Sequence, residues 1–201
     1  MRERSIVNWR IVTLGAVATL VALAVEPGRA QGVRGQARAV QSTVSTSAGS
    51  SSVGLADTGT LTDASDARDA SQGQGSIAGV FRGEALHAAT IGSGDRVGSE
   101  ASAAGVTVSV AGIDIGADFL MSRALATAGG VAGASNVEGL SIAGMPIAVT
   151  GEPNQTVAIP NGSVILNEQR ISADGITVNA LRVIVTGVAD VVVASATAGV
   201  H

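Results

Sequence analysis

The sequence predicts an all-β fold, an antiparallel β-sandwich or a barrel-like meander. Three observations carry that expectation. The last forty residues hold the densest run of β-branched side chains, cut into strand-length pieces by Pro160-Asn161-Gly162, Ala173-Asp174-Gly175 and Thr186-Gly187. Such spacing is that of an antiparallel meander. Upstream, Val106, Val108 and Val110 alternate with Thr107 and Ser109, the period of a strand with one buried face. The third observation is what the core lacks: there is no Cys and no Tyr, the single Trp is Trp9, and the two Phe are Phe81 and Phe119. A core of Val, Ile, Leu and Ala gains only about 1.5–3 kcal/mol per larger buried side chain, so stability requires many strands in register.

Taken in order, the chain opens with the features of a secretion signal. Arg2, Arg4 and Arg10 precede the apolar run Ile11–Val25, which falls short of the roughly 20 residues of a membrane span. Gly28-Arg29-Ala30 then sets small residues where a signal peptidase reads, so cleavage is expected before Gln31. Residues 31–201 are expected to form one domain of sufficient length for its own core.

Within that domain, Ala39–Val44 reads as a strand. The serine-rich residues 45–52 and the acidic segment Asp57–Ser71 read as a polar, flexible loop around 45–75. A short helix over Asp63–Ala70, capped by Thr62, is the alternative there. Ile77–His87 and Ala103–Val110 read as strands, with a turn at Gly92-Ser93-Gly94-Asp95. Gly112–Gly116, a longer run over Ala117–Thr127 and the glycine-rich Ala128–Gly133 follow. Val108-Ser109-Val110-Ala111-Gly112-Ile113-Asp114-Ile115 is echoed by Leu140-Ser141-Ile142-Ala143-Gly144-Met145-Pro146-Ile147 at an offset of 32 residues. A repeat of that size makes a β-solenoid the alternative architecture.

Charge narrows the partners. Removing residues 1–30 takes four of twelve Arg and two of sixteen acidic residues, leaving eight against fourteen with no Lys at all. A net charge of −6 without a basic cluster argues against nucleic acid and against an anionic membrane surface. The absence of Cys fits a fold that holds in an oxidising compartment without disulfides.

Several pieces, in order, carry a family resemblance: Leu55-Ala-Asp-Thr-Gly, Leu86-His-Ala-Ala-Thr, Ala117-Asp-Phe-Leu-Met-Ser-Arg-Ala, Leu166-Asn-Glu-Gln, Ile176-Thr-Val-Asn-Ala-Leu and Ala189-Asp-Val-Val-Val-Ala-Ser-Ala. From about Ala37 to Val200 the chain resembles the choice-of-anchor P family of bacterial exported proteins. The resemblance implies an exported surface or matrix domain without an established enzymatic activity, and it hands over no catalytic residues. The chain departs from that pattern in having no cysteines in the loop matching Ala126–Gly133, and no anchoring signal is read after Val200.

The motifs that suggest chemistry each meet a simpler reading. Asp57-Thr58-Gly59 looks like an aspartic-protease turn, but that chemistry needs two carboxylates sharing a proton, and the motif occurs once; a β-turn is expected. Asp63, Asp66 and Asp69 lack the alternate spacing and central Gly of a calcium loop and read as a solvated acidic segment. His87 and His201 are too few for a zinc site, and no Gly-x-Ser-x-Gly occurs for a hydrolase nucleophile. Glu168 with Asp190 suggests a glycosidase pair, yet no Trp or Tyr after residue 30 can stack a sugar. The expected roles are architectural. Gly162 and Gly175 make turns; Asn167, Gln169 and Asn179 pair across strands; Glu168 faces Arg170 or Arg182; Asp190 joins the same polar cluster.

The expectation is therefore a secreted or surface-associated, non-enzymatic β domain with a structural or adhesive role, without cofactor or metal, bound to a surface or matrix partner. A cell-envelope or polysaccharide hydrolase is one alternative. A self-assembling matrix subunit is the other, pairing through Val188–Ala196 as an exposed edge strand.

Overall fold

The structure, a computed structural model, describes residues 32–47 and 49–201. The segment read as a secretion signal lies outside them. No helix occurs among the described residues. Strands β1 (Val33–Thr46), β2 (Gly49–Asp57), β10 (Gln155–Ile159), β11 (Gly162–Ser172), β12 (Gly175–Val185) and β13 (Ala189–Val200) form one antiparallel sheet in the order β10-β11-β12-β13-β1-β2. The second sheet comprises β3 (Ala67–Ile77), β4 (Phe81–Ser93), β5 (Arg96–Val110), β6 (Ile113–Thr127), β7 (Gly130–Glu138), β8 (Ser141–Ile142) and β9 (Met145–Pro146). Its order is β3-β4-β5-β6-β8-β9, with β7 also paired to β6. The two sheets pack face to face as a β-sandwich. Neither closes into a barrel, and the antiparallel pairing replaces the solenoid alternative.

The sequence echo has a local cause. Ala111-Gly112 and Ala143-Gly144 are both two-residue hairpin turns with the same φ values, 50° and 77°. Positive φ at both central positions is the signature of the type I′ turn that matches strand twist. The two stretches resemble each other because they make the same turn.

Four expectations are corrected. The polar stretch around 45–75 is not one loop: it contains the end of β1, all of β2 and most of β3, and among its described residues only Ser47 and residues 58–66 lie outside strands. Strands β2 and β3 each pair on one side only, at a sheet edge, and most of their side chains face solvent. Polar composition suits such an edge. Where Asp63–Ala70 offered a helix, a turn over 62–66 leads into β3, with the Asp66 carboxylate accepting from Thr62 N and Oγ1, each at 2.9 Å. The proposed strand Ile77–His87 is cut by a turn at residues 78–80. Val188–Ala196 is no edge: β13 lies between β12 and β1 and is hydrogen-bonded on both sides.

A crease crosses the first sheet. Along β1 the buried residues run Gly35, Ala37, Ala39 and then Val40, Ser42, so the inward phase inverts between adjacent residues. Strand β13 inverts at Val193-Ala194 and β12 at Ala180-Leu181. The pairing Leu166↔Leu181 and Glu168↔Asn179 continues unslipped on either side, because β1, β12 and β13 invert at the same register position. Ala56, Ala194, Asn167 and Asn154 lie on this line with φ of 45°, 53°, 48° and 62°. Alanine has the smallest side chain that carries a Cβ, and asparagine the one best tolerated in left-handed backbone, which explains the residue types. The second sheet inverts too, at Ala85 of β4 (φ 46°) and Gly105 of β5 (φ 54°).

Between the sheets, Leu86, Val106, Val108, Ile115, Leu120, Leu166, Leu181 and Val193 anchor the larger core cluster. A smaller one holds Leu61, Val97, Ile176 and Val178 with Ala124, Ala126, Ala196 and Ala198. At that end the sheets approach closely: Ser99 Oγ of β5 donates to the backbone oxygen of Thr197 in β13 at 2.6 Å.

Candidate functional site, a polar trough on the outer face of the first sheet

The crease decides which side chains face outward. On β1 these are Arg34, Gln36 and Arg38 before it, then Gln41 and Thr43 after it. The register aligns them with β13, β12 and β11 in transverse rows. Gln36, Thr197, Thr177 and Arg170 make one row; Arg38, Ser195, Asn179 and Glu168 make the next; Gln41, Val192 and Arg182 lie beyond the crease. Apart from Arg182 on β12, short side chains occupy the middle strands and long ones the flanks. The result is a trough of about 300 Å³ with a floor of Thr177, Asn179, Ser195 and Thr197 and walls that include four arginines.

Glu168 is the hub. It is buried, yet its Oε1 accepts from Arg170 at 2.5 Å and Arg182 at 2.9 Å, and its Oε2 from Asn179 Nδ2 at 2.6 Å. Arg182 also forks onto Asp190, with Nε–Oδ1 at 2.9 Å and Nη2–Oδ2 at 2.6 Å. Hydrogen bonding to Asp190 and the charges of both carboxylates raise the Arg182 pKa above its ordinary value, against the opposing effect of burial. Charge-assisted, bidentate pairs of this kind are the strong class of hydrogen bond. The two carboxylates that suggest a glycosidase pair in the sequence are thus bridged by one guanidinium. Asn179 is 5% exposed and its Oδ1 has no hydrogen-bond partner.

Asn167 and Gln169 lie at the margin. Asn167 Nδ2 donates to Gly151 O at 2.9 Å, and Gln169 Nε2 donates to Asn167 Oδ1 at 3.0 Å and to Gly133 O, on β7, at 3.2 Å. Their work is to tie the crease to the neighbouring loop and to the second sheet. Gly162 and Gly175 open β11 and β12 where no side chain fits: a Cβ would lie 1.9 Å from Ile184 O in the first case and 2.1 Å from Ala198 O in the second.

The wall residues Arg34, Gln36, Arg38 and Gln41 were missed by the sequence reading, which took Ala39–Val44 as the strand. The signal is the alternation of Gly35, Ala37 and Ala39 with Arg34, Gln36 and Arg38. Behind this wall stands the Asp-Thr-Gly stretch. Burial would raise the Asp57 pKa, but hydrogen bonds from Gly59 N, Arg38 and Gln36 hold it below the ordinary carboxylate value. Thr58 Oγ1 accepts from Ala37 N at 3.0 Å. The motif ends a strand and pins it to β1.

Asp63, Asp66 and Asp69 do not converge. Asp63 Oδ1 accepts from Ser65 N at 2.8 Å, while Thr62 N, Arg68 and Thr62 Oγ1 bring the Asp66 pKa down to about 2. Among the described residues no group of three or more His, Cys, Asp or Glu is placed to hold a metal ion. His87 is exposed on β4 and His201 lies beside Gly32.

The outer face of the second sheet carries a different depression, about 700 Å³, lined by Ala67, Ala89, Ile91, Gly98, Leu125, Ala132 and Ala134 with the ion pair Arg123–Glu100 across it. It is apolar and open. No family model, curated protein or solved structure matches the chain.

Proposed function

We propose that the protein is an exported, non-enzymatic β-sandwich that acts by binding a surface or matrix component through the trough on its first sheet. The export half of this reading is supported by the basic, apolar and small-residue order of residues 1–30 and by the resemblance to the choice-of-anchor P family. The binding half rests on one observation: of the eight arginines after residue 30, four stand around a single trough. Glu168 and Asp190 support a binding role over a hydrolytic one, because each is committed to Arg182. A general acid or base needs a carboxyl free to exchange a proton with a substrate.

Fractionation tests both halves. Expressed in a bacterial host with residues 1–30 in place, the protein is expected outside the cytoplasm with Gln31 at its N-terminus. It is expected to sediment with the host's extracellular matrix fraction, and the double variant Arg34→Gln/Arg170→Gln to be retained at least tenfold less. Cytoplasmic retention, or matrix retention indifferent to the double variant, sinks the reading.

A further inference from the structure

We infer that the trough takes a strand of acidic polysaccharide, a chain of hydroxyl-rich sugars bearing carboxylates; the inference rests on the binding role proposed above and names its ligand class. The first argument is shape. The lining of the trough follows β13 from Thr197 to Asp190, roughly 23 Å at about 3.3 Å per residue, the form of a site for an extended polymer. Each floor strand is paired on both sides, so a peptide cannot dock here by adding a strand, the usual way an extended peptide gains affinity from a sheet.

The second argument is hydrogen-bond chemistry. With no Trp or Tyr after residue 30 to stack on a sugar ring, recognition here falls to hydroxyl and amide groups, which donate and accept as sugar hydroxyls do. Asn179 Oδ1 holds an unused acceptor on a side chain that is 95% buried, and a buried acceptor without a donor is costly until a partner supplies one.

The third argument is charge. Arg38 and Arg182 are committed and mostly covered, but Arg34 and Arg170 have 51% and 57% of their side chains exposed. Arg34 reaches Asp174 only at 3.8 Å, beyond hydrogen-bond range. Arg170 shares Glu168 with Arg182 and Asn179, so turning outward leaves that carboxylate with two donors. These two exposed guanidiniums stand on opposite walls, on strands three spacings or roughly 14 Å apart, and a guanidinium fork matches a carboxylate in two parallel bonds. Of the fourteen acidic residues after residue 30, Asp190 alone is among those that line the trough, and Arg182 holds it. Exposed charges farther away than about 10 Å are largely screened at 0.1 M salt.

The test is calorimetric titration of the purified protein with polygalacturonate, with dextran as the neutral chain and poly-L-glutamate as the carboxylated chain without sugars. Polygalacturonate is expected to bind, dextran and poly-L-glutamate at least tenfold more weakly. Arg34→Gln/Arg170→Gln is expected to weaken polygalacturonate at least tenfold with an unchanged melting temperature. Ser195→Tyr fills the floor without touching either arginine and is expected to do the same; should one variant melt early, the other decides. No binding of polygalacturonate, equal binding of either control chain, or full binding by a folded variant overturns the proposal. If polygalacturonate fails while matrix retention still depends on Arg34 and Arg170, the ligand class is wrong and the binding role stands. If both fail, the role falls with it.

Discussion

The two outer faces of this sandwich are built from the same sheet geometry and spend it differently. On the first sheet the outward positions carry Arg34, Arg38, Arg170 and Arg182 among hydroxyls and amides, wired to Glu168, Asp190 and Asp57. On the second, the depression is lined mainly by Ala, Gly, Ile and Leu, with Arg68, Asp69 and Arg96 at its margin and the exposed ion pair Arg123–Glu100 across it. An apolar hollow attracts without orienting, since burial of area has no direction. Fixed donors and acceptors select by geometry, because a mismatched partner leaves a desolvated polar group unpaired. That difference places the specific site on the polar face.

The sharpest way to break the comparison is to remove one carboxylate from each face. Glu168→Ala strips three donors of a buried acceptor. Losing one partner of a buried charge pair costs about 3–5 kcal/mol, and since Arg182 keeps Asp190 the expected loss is near the lower figure, about 3 kcal/mol. Glu100→Ala removes an exposed partner of Arg123 and should cost about 0–1 kcal/mol. Urea unfolding of the two variants measures the gap. Equal losses mean that the polar cluster is surface decoration.

The crease, which turns the arginines and hydroxyls of the first sheet to one face, is the next target. Ala194 is fully buried with φ 53°. Ala194→Val sets a β-branched side chain in left-handed backbone inside a filled core, at an expected cost of about 2 kcal/mol. Ala85, exposed on the other sheet at φ 46°, should respond in the opposite sense. Ala85→Gly relieves about 1–2 kcal/mol of left-handed strain and gives part of it back through the freer unfolded chain, for a gain of about 0.5 kcal/mol. Thermal unfolding of both reads the sign. A tolerated valine at 194 means the backbone there is not held in the left-handed region.

What was legible in the sequence follows the same division. The closing meander could be read because Asn161-Gly162, Asp174-Gly175 and Thr186-Gly187 fix its turns and its apolar residues leave no alternative to burial. Asn167, Glu168, Gln169, Asn179 and Asp190 stood out as a polar cluster in an aliphatic run, but only the register shows that Arg34 and Arg38 face the same trough from the other end of the chain. Strands β2 and β3 were illegible because an edge strand with solvent on most of its surface has no hydrophobic period to display. The crease hid behind the same rule. It leaves apolar doublets, Ala39-Val40, Ala180-Leu181 and Val193-Ala194, that look like noise in an alternating pattern and are the points where the pattern inverts.

The smallest expected effect concerns the turn that leads into the second sheet. Thr62 and Arg68 hold the Asp66 pKa at about 2, below the ordinary 3.8. A carboxylate whose folded pKa is depressed adds stability that is fully present above its unfolded pKa and is lost as pH falls through the folded one. Asp57, lowered by Gly59, Arg38 and Gln36 against the pull of burial, works in the same direction. The melting temperature should therefore fall between about pH 4 and pH 2. In Asp66→Asn it should start slightly lower at neutral pH and fall less steeply across that window, since the group that would take up the proton is gone. Asp66 is half-buried and its partners are local, so the change is expected to be modest beside that of Glu168→Ala. Parallel acid limbs in wild type and variant would show that the turn contributes nothing to acid stability, and that Asp57 and the other paired carboxylates carry it.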